Sequence, residues 1–171
     1  MLHRMALKVE IHPARPEELR GLEMLSGPPE KHRQRLSLQQ HDLGIYLVAL
    51  SDGLPVGHAL VKRDGAADEA IASRLQRCPD LEDLFVRPDL RSMGIGSSLL
   101  ARAEEWARHE GYRCIGLGVG IDNLRAHKLY TGNGYRDSGL GRYPHKVHYH
   151  DGKGRHRTRN EVCVYLIKQL A

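Results

Sequence analysis

The sequence predicts one mixed α/β domain, in which helices flank a central, mostly antiparallel sheet that contains a single pair of parallel strands. A chain of 171 residues suits one domain with its own core. Two apolar runs, 45–50 and 56–62, are joined by a Ser-Asp-Gly-Leu-Pro turn, which is typical of an antiparallel hairpin. Two further strand patterns, 81–86 and 113–119, are separated by a helix pattern, and a helical crossover makes such strands parallel. Because we find no repeat and no linker, we assign residues 1–171 to one domain.

The first part of the chain predicts a strand and two helices. Apolar and charged residues alternate from Ala6 to Ile11, which indicates a strand. Pro16 and two glutamates begin a helix with an apolar side, and Gly27 with two prolines ends it. The segment Glu30–Gln40 forms a helix pattern that is polar apart from two leucines. We interpret it as a solvated surface helix, and a helix that lies over a site is the alternative. A polar connection with a short helix, at 65–76, follows the hairpin.

The stretch Leu81–Leu100 organises the chain. It begins as a strand, which Pro88 ends because proline has no N–H to donate to a sheet. From Gly94 onwards the apolar residues recur with helical spacing until Gly111. The turn between them, Arg91–Gly96, has two glycines that let a ligand approach the backbone, and its free amides lie at the positive end of the helix dipole. The turn is therefore a candidate binding site for a phosphate or pyrophosphate.

The last part of the chain predicts a helix between strands. The strand at 113–119 contains alternate glycines, which are unusual inside a strand and indicate close approach of a ligand or of a diverging neighbour strand. Asn123 caps a helix that runs to about Thr131. Tyr135 begins another strand, and residues 162–167 form the last one.

Positive charge is concentrated between residues 135 and 160. This segment holds seven Lys and Arg against two Asp, a surplus that equals the net charge of +5. Within it, residues 139–160 are basic and rich in histidine, and their pattern indicates an insertion or hairpin between the last two strands. We interpret the segment as a solvated loop. A basic flap beside a binding site, which recognises an anionic group of a ligand or a nucleic acid, is the alternative. The histidine spacing is not typical of zinc, so we predict no metal site.

Composition also bears on location. The three cysteines, Cys78, Cys114 and Cys163, are scattered and odd in number, as is typical of reduced cysteines in a cytosolic protein. No apolar run approaches the ~20 residues of a membrane span, and the first residues lack the apolar core of a signal peptide. We therefore predict a cytoplasmic protein with no membrane partner.

Two motifs resemble those of one enzyme family. The first, Arg91-x-x-Gly94-x-Gly96 after a strand that ends in Val-x-Pro, resembles the acyl-CoA pyrophosphate motif of the GNAT superfamily of N-acetyltransferases. The second is similar to the downstream signature of that family, with Tyr for Phe at its end, and reads Asn123-x-x-Ala126-x-x-Leu129-Tyr130-x-x-x-Gly134-Tyr135. The pair is far more specific than either motif alone. The resemblance implies a GNAT-like domain, whose sheet splays at the parallel pair to admit the pantetheine arm of the cofactor.

The resemblance implies acetyl-CoA as co-substrate. Backbone groups of three strand residues would pair with pantetheine like an added strand, namely Leu84, Phe85 and Val86. The turn would hold the pyrophosphate through Arg91 and through the amides of Ser92, Met93, Gly94, Ile95, Gly96 and Ser97. Asn123 would contact the pantetheine arm, or would only cap its helix. The family commonly has glycine where this chain has Ser92, which leaves the local geometry of the turn open.

The resemblance also implies direct attack of an amine on the thioester. An amine with a pKa of ~10.4 is mostly charged at neutral pH, so a base has to take its proton and an acid has to protonate the leaving thiolate. Tyr130 is the predicted acid, because the tyrosine at this position of the family lies beside the thioester sulfur. A tyrosine that only packs on the sheet is the alternative.

The predicted base is one of three acids, Asp80, Glu82 and Asp83, at the start of the predicted strand 81–86. The Leu-Glu-Asp run resembles that of spermidine/spermine N-acetyltransferases, which implies Glu82 as the base through water and Asp83 as the anchor of the amine. Asp80 is a further candidate base, and solvated acids at a strand end are the alternative. Strand alternation predicts that Glu82 shares a face with Leu84 and Val86, unless a bulge intervenes.

These features together predict an N-acetyltransferase that transfers the acetyl group of acetyl-CoA to a primary amine of a small molecule or peptide, through a ternary complex. The alternative is a non-catalytic acyl-CoA-binding module whose basic segment contacts nucleic acid or a protein. We do not expect nucleic acid as a partner of the enzyme, and a homodimer is implied by the family resemblance alone.

Overall fold

A computed structural model describes residues 7–171. These residues form seven strands, namely β1 Val9–Pro13, β2 Gly44–Ser51, β3 Leu54–Lys62, β4 Asp80–Val86, β5 Cys114–Gly120, β6 Arg136–His150 and β7 His156–Gln169. The same part of the chain forms five α-helices, namely α1 Leu19–Leu25, α2 Pro29–Gln40, α3 Glu69–Ala72, α4 Ile95–His109 and α5 Leu124–Gly132. Of the predicted strand Ala6–Ile11, Ala6 lies outside the described residues. Within the described part of the chain, no helix is both long enough and apolar enough to cross a membrane.

All seven strands form one sheet in the order β1-β2-β3-β4-β5-β7-β6. Neighbouring strands are antiparallel except for β4 and β5, which α4 connects as a crossover helix. The predicted fold class, a mostly antiparallel sheet with one parallel pair and flanking helices, is confirmed.

The parallel pair separates almost as soon as it forms. Its register contains the single pair Asp80 and Gly116, and the amide of Gly116 donates to the carbonyl of Pro79 at 3.0 Å. Beyond this point β4 and β5 diverge, so the backbone groups of both strands face a gap instead of each other. Such edges can pair with an extended ligand.

Helices cover both faces of the sheet. Helix α4 packs its apolar side, which includes Leu99 and Leu100, on the larger core. Helices α1 and α2 cover a smaller cluster on the other face. The interpretation of α2 as a solvated surface helix is wrong, because His32, Arg35 and Leu36 are all buried. The sequence pattern did not predict this buried face, because two of its three buried side chains are polar.

A bulge in β4 changes which acids share a face. Between His58 and Leu60 of β3 the pairing with β4 shifts by one residue, and Asp83 has a positive φ of 55°. Leu81 belongs to the larger core, and Leu84 and Val86 pack on the same core. Glu82, the neighbour of Leu81, therefore lies on the opposite face. The alternation that placed Glu82 with Leu84 and Val86 is wrong, and the bulge is the reason.

The glycines of β5 make room for side chains from β6 and β7. A Cβ on Gly116 would overlap the ring of Tyr165, and a Cβ on Gly118 would overlap the hydroxyl of Tyr143. A Cβ on Gly120 would lie 3.4 Å from the carboxyl carbon of Glu161. From the sequence we expected a ligand or a diverging strand to explain these glycines. The structure explains them by close packing against two tyrosines and a glutamate.

Strands β6 and β7 continue past the sheet as a two-stranded arm. Their pairing extends to His150 and His156, and the amide of Gly154 donates to the carbonyl of Asp151 in the turn between them. Asp151 also pairs with Arg155 and Arg157, at 3.0 and 3.1 Å. Residues 139–160 therefore lie in β6, the turn and the start of β7.

Candidate active site

A cleft with a volume of about 480 Å³ opens where β4 and β5 diverge. This volume suits a small-molecule site. Five of the predicted site residues line it, namely Glu82, Asp83, Leu84, Asn123 and Tyr130, and so does Asp80, the further candidate base. The arm covers part of it with residues 145–148. Phe85, Val86 and the turn Arg91–Ser97 do not line this cleft. They lie further along the chain, where β4 leads into α4.

The turn before α4 presents a row of backbone amides. Gly94 caps the helix in the left-handed conformation, with φ of 88°. The amide of Ser98 donates to the carbonyl of Gly94 at 3.0 Å and closes the first turn of α4. In residues 7–171 the preceding amides, from Ser92 to Ser97, have no backbone acceptor. Free amides at the positive end of a helix dipole form a site for an anion.

Serine stands where the family motif commonly has glycine, in a backbone conformation that favours glycine. Ser92 has a φ of 63°, in the left-handed region that glycine adopts at no steric cost. The hydroxyl of Ser92 lies 3.4 Å from a guanidinium nitrogen of Arg125. Helix α5 thus brings a second cation to the turn, in addition to Arg91.

Arg91 is held at the end of β4. Its Nε donates to the carbonyl of Val86 at 3.0 Å, and its guanidinium carbon lies 5.8 Å from the ring centre of Phe85. The remaining guanidinium nitrogens have no partner among the described residues. They are therefore free to bind an anion that the amides of the turn hold.

Helix α5 connects the turn with the cleft. Asn123 caps it, with its side chain accepting from the amide of Ala126 at 3.2 Å. A Cβ on Gly96 would lie 3.1 Å from Leu129, so this glycine lets α4 and α5 pack closely. Tyr130 is buried, and burial raises its pKa to about 12. The Tyr130 phenol therefore carries its proton at neutral pH, as an acid has to.

Asp80 and Glu82 form a coupled carboxyl pair in the cleft. Asp80 is 6% exposed and accepts a 2.7 Å hydrogen bond from the phenol of Tyr165. Burial raises the pKa of Asp80 well above its usual value, and the bond from Tyr165 opposes this. Burial likewise raises the pKa of Glu82, while Lys62, at 3.9 Å, lowers it. The pair therefore loses its second proton nearer to neutral pH than a solvated carboxyl would.

Asp83 forms an ion pair with Arg35 of α2, the helix that covers the smaller apolar cluster. Arg35 of α2, which is buried, lies 2.9 Å from its carboxylate through one terminal nitrogen and 3.1 Å through Nε. The carboxylate is 39% exposed, so it faces both Arg35 and the cleft. The role of Asp83 as an anchor of the amine stays a prediction.

Sequence reasoning did not identify several residues of the site. Tyr143 and Tyr165 line the cleft from β6 and β7, and Lys31 lines it from α2. Arg35 binds Asp83, and Arg125 reaches the turn. The sequence signal for the two tyrosines was the glycine at every second position of β5, because a strand without side chains leaves space for large side chains from its neighbour strands. In the described part of the chain, no group of three or more His, Cys, Asp or Glu side chains could hold a metal ion.

The sequence of the chain is similar to those of known acetyltransferases. The model of the acetyltransferase (GNAT) family matches residues 11–135. An uncharacterized N-acetyltransferase of Methanocaldococcus jannaschii is 30% identical over 102 residues, which cover 58% of this chain and 42% of that protein. The aminoalkylphosphonate N-acetyltransferase of Salmonella typhimurium is 41% identical over 59 residues, which cover 34% of this chain and 38% of that protein. The matched region thus spans less than half the length of either relative.

The fold is shared with solved structures. The PaiA N-acetyltransferase from Thermoplasma acidophilum, in complex with coenzyme A, superposes with a TM-score of 0.68. The superposition covers 95% of this chain and 99% of that chain, at 19% sequence identity. At this identity the likeness concerns the fold.

Proposed function

Because this chain belongs to the acetyltransferase (GNAT) family, we propose that it transfers the acetyl group of acetyl-CoA to a primary amine. The amine attacks the thioester directly, in a ternary complex. The observation that carries the proposal is the single register pair between β4 and β5. It leaves a gap lined by carboxyl groups and by Tyr130, beside a turn of free amides.

The turn before α4 binds the pyrophosphate of the cofactor. Six amides from Ser92 to Ser97, the dipole of a helix of 15 residues and the guanidinium of Arg91 favour a group with two negative charges. Arg125 adds a charge from α5. The backbone of Leu84, Phe85 and Val86, beyond the point where β4 leaves β5, pairs with the pantetheine arm. Asn123, which lines the cleft, contacts the same arm.

The carboxyl pair removes the proton of the amine. Freeing the lone pair of an amine of pKa ~10.4 costs about 4.6 kcal/mol at neutral pH, so a positioned base is valuable. Glu82 is that base, directly or through water, and Asp80 shares its titration through the coupled pair. A raised pKa suits this role, because a base is most effective when its pKa lies near the working pH.

Tyr130 protonates the sulfur of the leaving coenzyme. Its phenol is protonated at neutral pH and reaches the cleft from α5. No covalent intermediate is required, because an amine in the cleft attacks the thioester itself. Asp83 attracts the charged amine before the proton is removed.

The acceptor is an amine of a small molecule or a peptide. The Salmonella typhimurium relative is named for an aminoalkylphosphonate, which is an acceptor of this class. Acidic groups in the cleft favour a cationic amine. Location in the cytoplasm, absence of a membrane partner and a homodimer stay predictions from the sequence.

Release of free thiol tests the proposal. Acetyl-CoA is mixed with panels of polyamines, amino acids, aminoglycosides and peptides, and thiol is followed over time. We expect release with one class of amine. Calorimetry in parallel follows binding of CoA, which we expect Arg91→Glu to weaken at least tenfold, since it places a negative charge at the turn. Binding of CoA that is unaffected by Arg91→Glu, or that cannot be detected, contradicts the proposal.

The alternative function is that of a non-catalytic acyl-CoA-binding module. It is favoured by one observation, the basic arm, whose surplus of charge equals that of the whole chain. Such a module binds CoA, releases no thiol with any amine, and binds nucleic acid with an affinity that falls steeply with salt. An electrophoretic shift assay at two salt concentrations, beside the thiol assay, separates the two functions.

A further inference from the structure

Most acids that line the cleft are engaged by other groups of the protein. Asp68 accepts from the amide of Ile71 at 3.1 Å and caps α3. Asp83 pairs with Arg35 at 2.9 Å. Glu161 pairs with Arg159 at 3.2 Å. Asp80 accepts from a neutral phenol, that of Tyr165, and Glu82 lies 3.9 Å from Lys62, a longer contact than those three, so this pair keeps more negative charge available to an acceptor than the other acids do.

Two lysines line the same cleft from different elements. Lys31 is half-buried on α2, and Lys146 is exposed on the arm, in β6. In residues 7–171 the lysines that form ion pairs are Lys62 and Lys168, so Lys31 and Lys146 face the cleft without a carboxylate partner. Ammonium groups that line one cleft without carboxylate partners attract an anion that enters it.

We infer that the acceptor cleft contains an anion subsite formed by Lys31 and Lys146, and that the acceptor is an amine that also carries a carboxylate, phosphonate or phosphate group. This inference rests on the proposed function, because it treats the cleft as the acceptor site. The ammonium of such a molecule is attracted to Asp80 and Glu82, and its anion is attracted to the two lysines. Fixing both ends orients the amine toward the thioester. A neutral amine gains one of these contacts, and a diamine is repelled by the lysines.

Matched acceptors test the subsite. Four amines of similar length are compared, namely γ-aminobutyrate, aminopropylphosphonate, aminopropanol and diaminopropane, with acetyl-CoA saturating and thiol release as the readout. We expect kcat/KM for at least one anionic amine to exceed that for aminopropanol about tenfold, the effect of one charge-assisted hydrogen bond. The carboxylate and the phosphonate show which anion the subsite prefers.

Variants of the two lysines locate the effect. Lys31→Gln and Lys146→Gln should each raise KM for the preferred anionic amine about tenfold more than they raise KM for aminopropanol, and should affect KM more than kcat. Lys153→Gln is the matched control, because it removes the same charge from the turn of the same arm, outside the cleft. We expect it to change neither KM.

The subsite and the proposed function fail in different ways. Faster acetylation of aminopropanol or diaminopropane than of both anionic amines, or an unchanged KM in both lysine variants, overturns the subsite and leaves acetyl transfer intact. Calorimetry with CoA-saturated protein measures binding of the anionic amines directly, and so tests the subsite without turnover. Binding that the double variant abolishes supports the subsite, and no heat with the unaltered protein overturns it. Absence of CoA binding counts against the proposed function instead.

Discussion

The phenol of Tyr165 donates a 2.7 Å hydrogen bond to a carboxylate oxygen of Asp80, although 85 positions separate the two residues in the chain. The bond joins β7 to β4 across the intervening strand β5, and it is possible because Gly116 of that strand leaves space for the tyrosine ring. Since the titration of Asp80 is coupled to that of Glu82, Tyr165 influences the proposed base through Asp80.

Tyr165→Phe tests this influence. The phenol stabilises the charged form of Asp80, so its removal should raise the pKa of the carboxyl pair. We expect the rising limb of the pH profile of kcat/KM to move upward by about one pH unit, as the loss of one hydrogen bond to a charged group implies. Activity lost at neutral pH should return at higher pH. Initial rates of thiol release over a pH series measure the shift.

The control for this variant is Tyr149→Phe, on the exposed end of the arm, which should leave the profile unchanged. A loss of activity that is equal at every pH would assign Tyr165 a purely structural role, because only a change in the base moves the profile.

Glu82→Gln and Asp83→Asn separate the roles of two adjacent acids. Loss of a general base lowers kcat by roughly 10²–10⁴-fold, so we expect Glu82→Gln to reduce kcat in that range while CoA still binds. Asp83→Asn should mainly raise the acceptor KM and should destabilise the fold by about 1–2 kcal/mol, because it leaves the buried Arg35 without its partner. Steady-state kinetics and urea unfolding measure these effects.

The matched control is Asp89→Asn, which removes the carboxylate from an exposed pair with Arg87 at 2.7 Å. Solvent screens such exposed pairs, so stability should change little. If Asp83→Asn lowered kcat as much as Glu82→Gln does, with the acceptor KM unchanged, the assignment of the base to Glu82 would be untenable.

Tyr130→Phe tests the proposed acid. The variant keeps the ring in its buried position on α5 and removes only the proton donor. We expect kcat to fall by about 10²-fold, with the Kd for CoA unchanged, because the phenol acts on the leaving thiolate. Stopped-flow or steady-state thiol release gives kcat, and calorimetry gives Kd. An unaltered kcat would mean that water or the bound amine protonates the sulfur.

Local features of the site could be predicted from the sequence, whereas contacts between distant segments could not. The cap of α5 by Asn123 and the turn before α4 depend on neighbouring residues, so their patterns are visible in the chain. The bond from Tyr165 to Asp80 depends on β7 lying next to β5, which no local pattern specifies. The bulge at Asp83 arises from pairing with β3, and the buried side of α2 contains His32 and Arg35 where periodicity looks for apolar residues.

Gly116→Ala tests whether the space in β5 is needed. The added methyl would overlap the ring of Tyr165, which is 2% exposed and fixed by Asp80. Overpacking of this kind costs about 1–3 kcal/mol, and displacement of the ring should break the bond to Asp80. We expect lower stability in urea and a pH profile shifted in the same direction as for Tyr165→Phe.

Gly132→Ala is the matched control for this substitution. Gly132 lies at the end of α5, and nothing lies within 4 Å of an added Cβ. Alanine in a helix is more favourable than glycine by about 0.5–1 kcal/mol, so stability should be unchanged or slightly higher. If Gly116→Ala kept full activity and stability, the ring of Tyr165 would have moved aside at no cost, and the space at Gly116 would not be needed.

His58 should make the fold sensitive to acid. Its side chain is 2% exposed, stacks on Phe85, and has its Nε2 2.8 Å from the hydroxyl of Ser26. Burial, and then the nearby charge of Arg35, lowers the pKa of His58 to about 3, whereas a histidine in an unfolded chain titrates at about 6.5. Between these values the unfolded chain binds a proton that the folded protein does not. The free energy of unfolding therefore falls as pH decreases through this window, by about 3 kcal/mol from this group at pH 4.

His58→Gln removes the titrating group and keeps a polar side chain at this position. We expect its free energy of unfolding, from urea titrations at a series of pH values, to depend less on pH than that of the unaltered protein, with the difference growing below about pH 6.5. His145→Gln, at an exposed position of β6, should retain the original pH dependence. Parallel curves for His58→Gln and the unaltered protein would show that His58 is protonated in the folded state, against the depressed pKa that its burial implies.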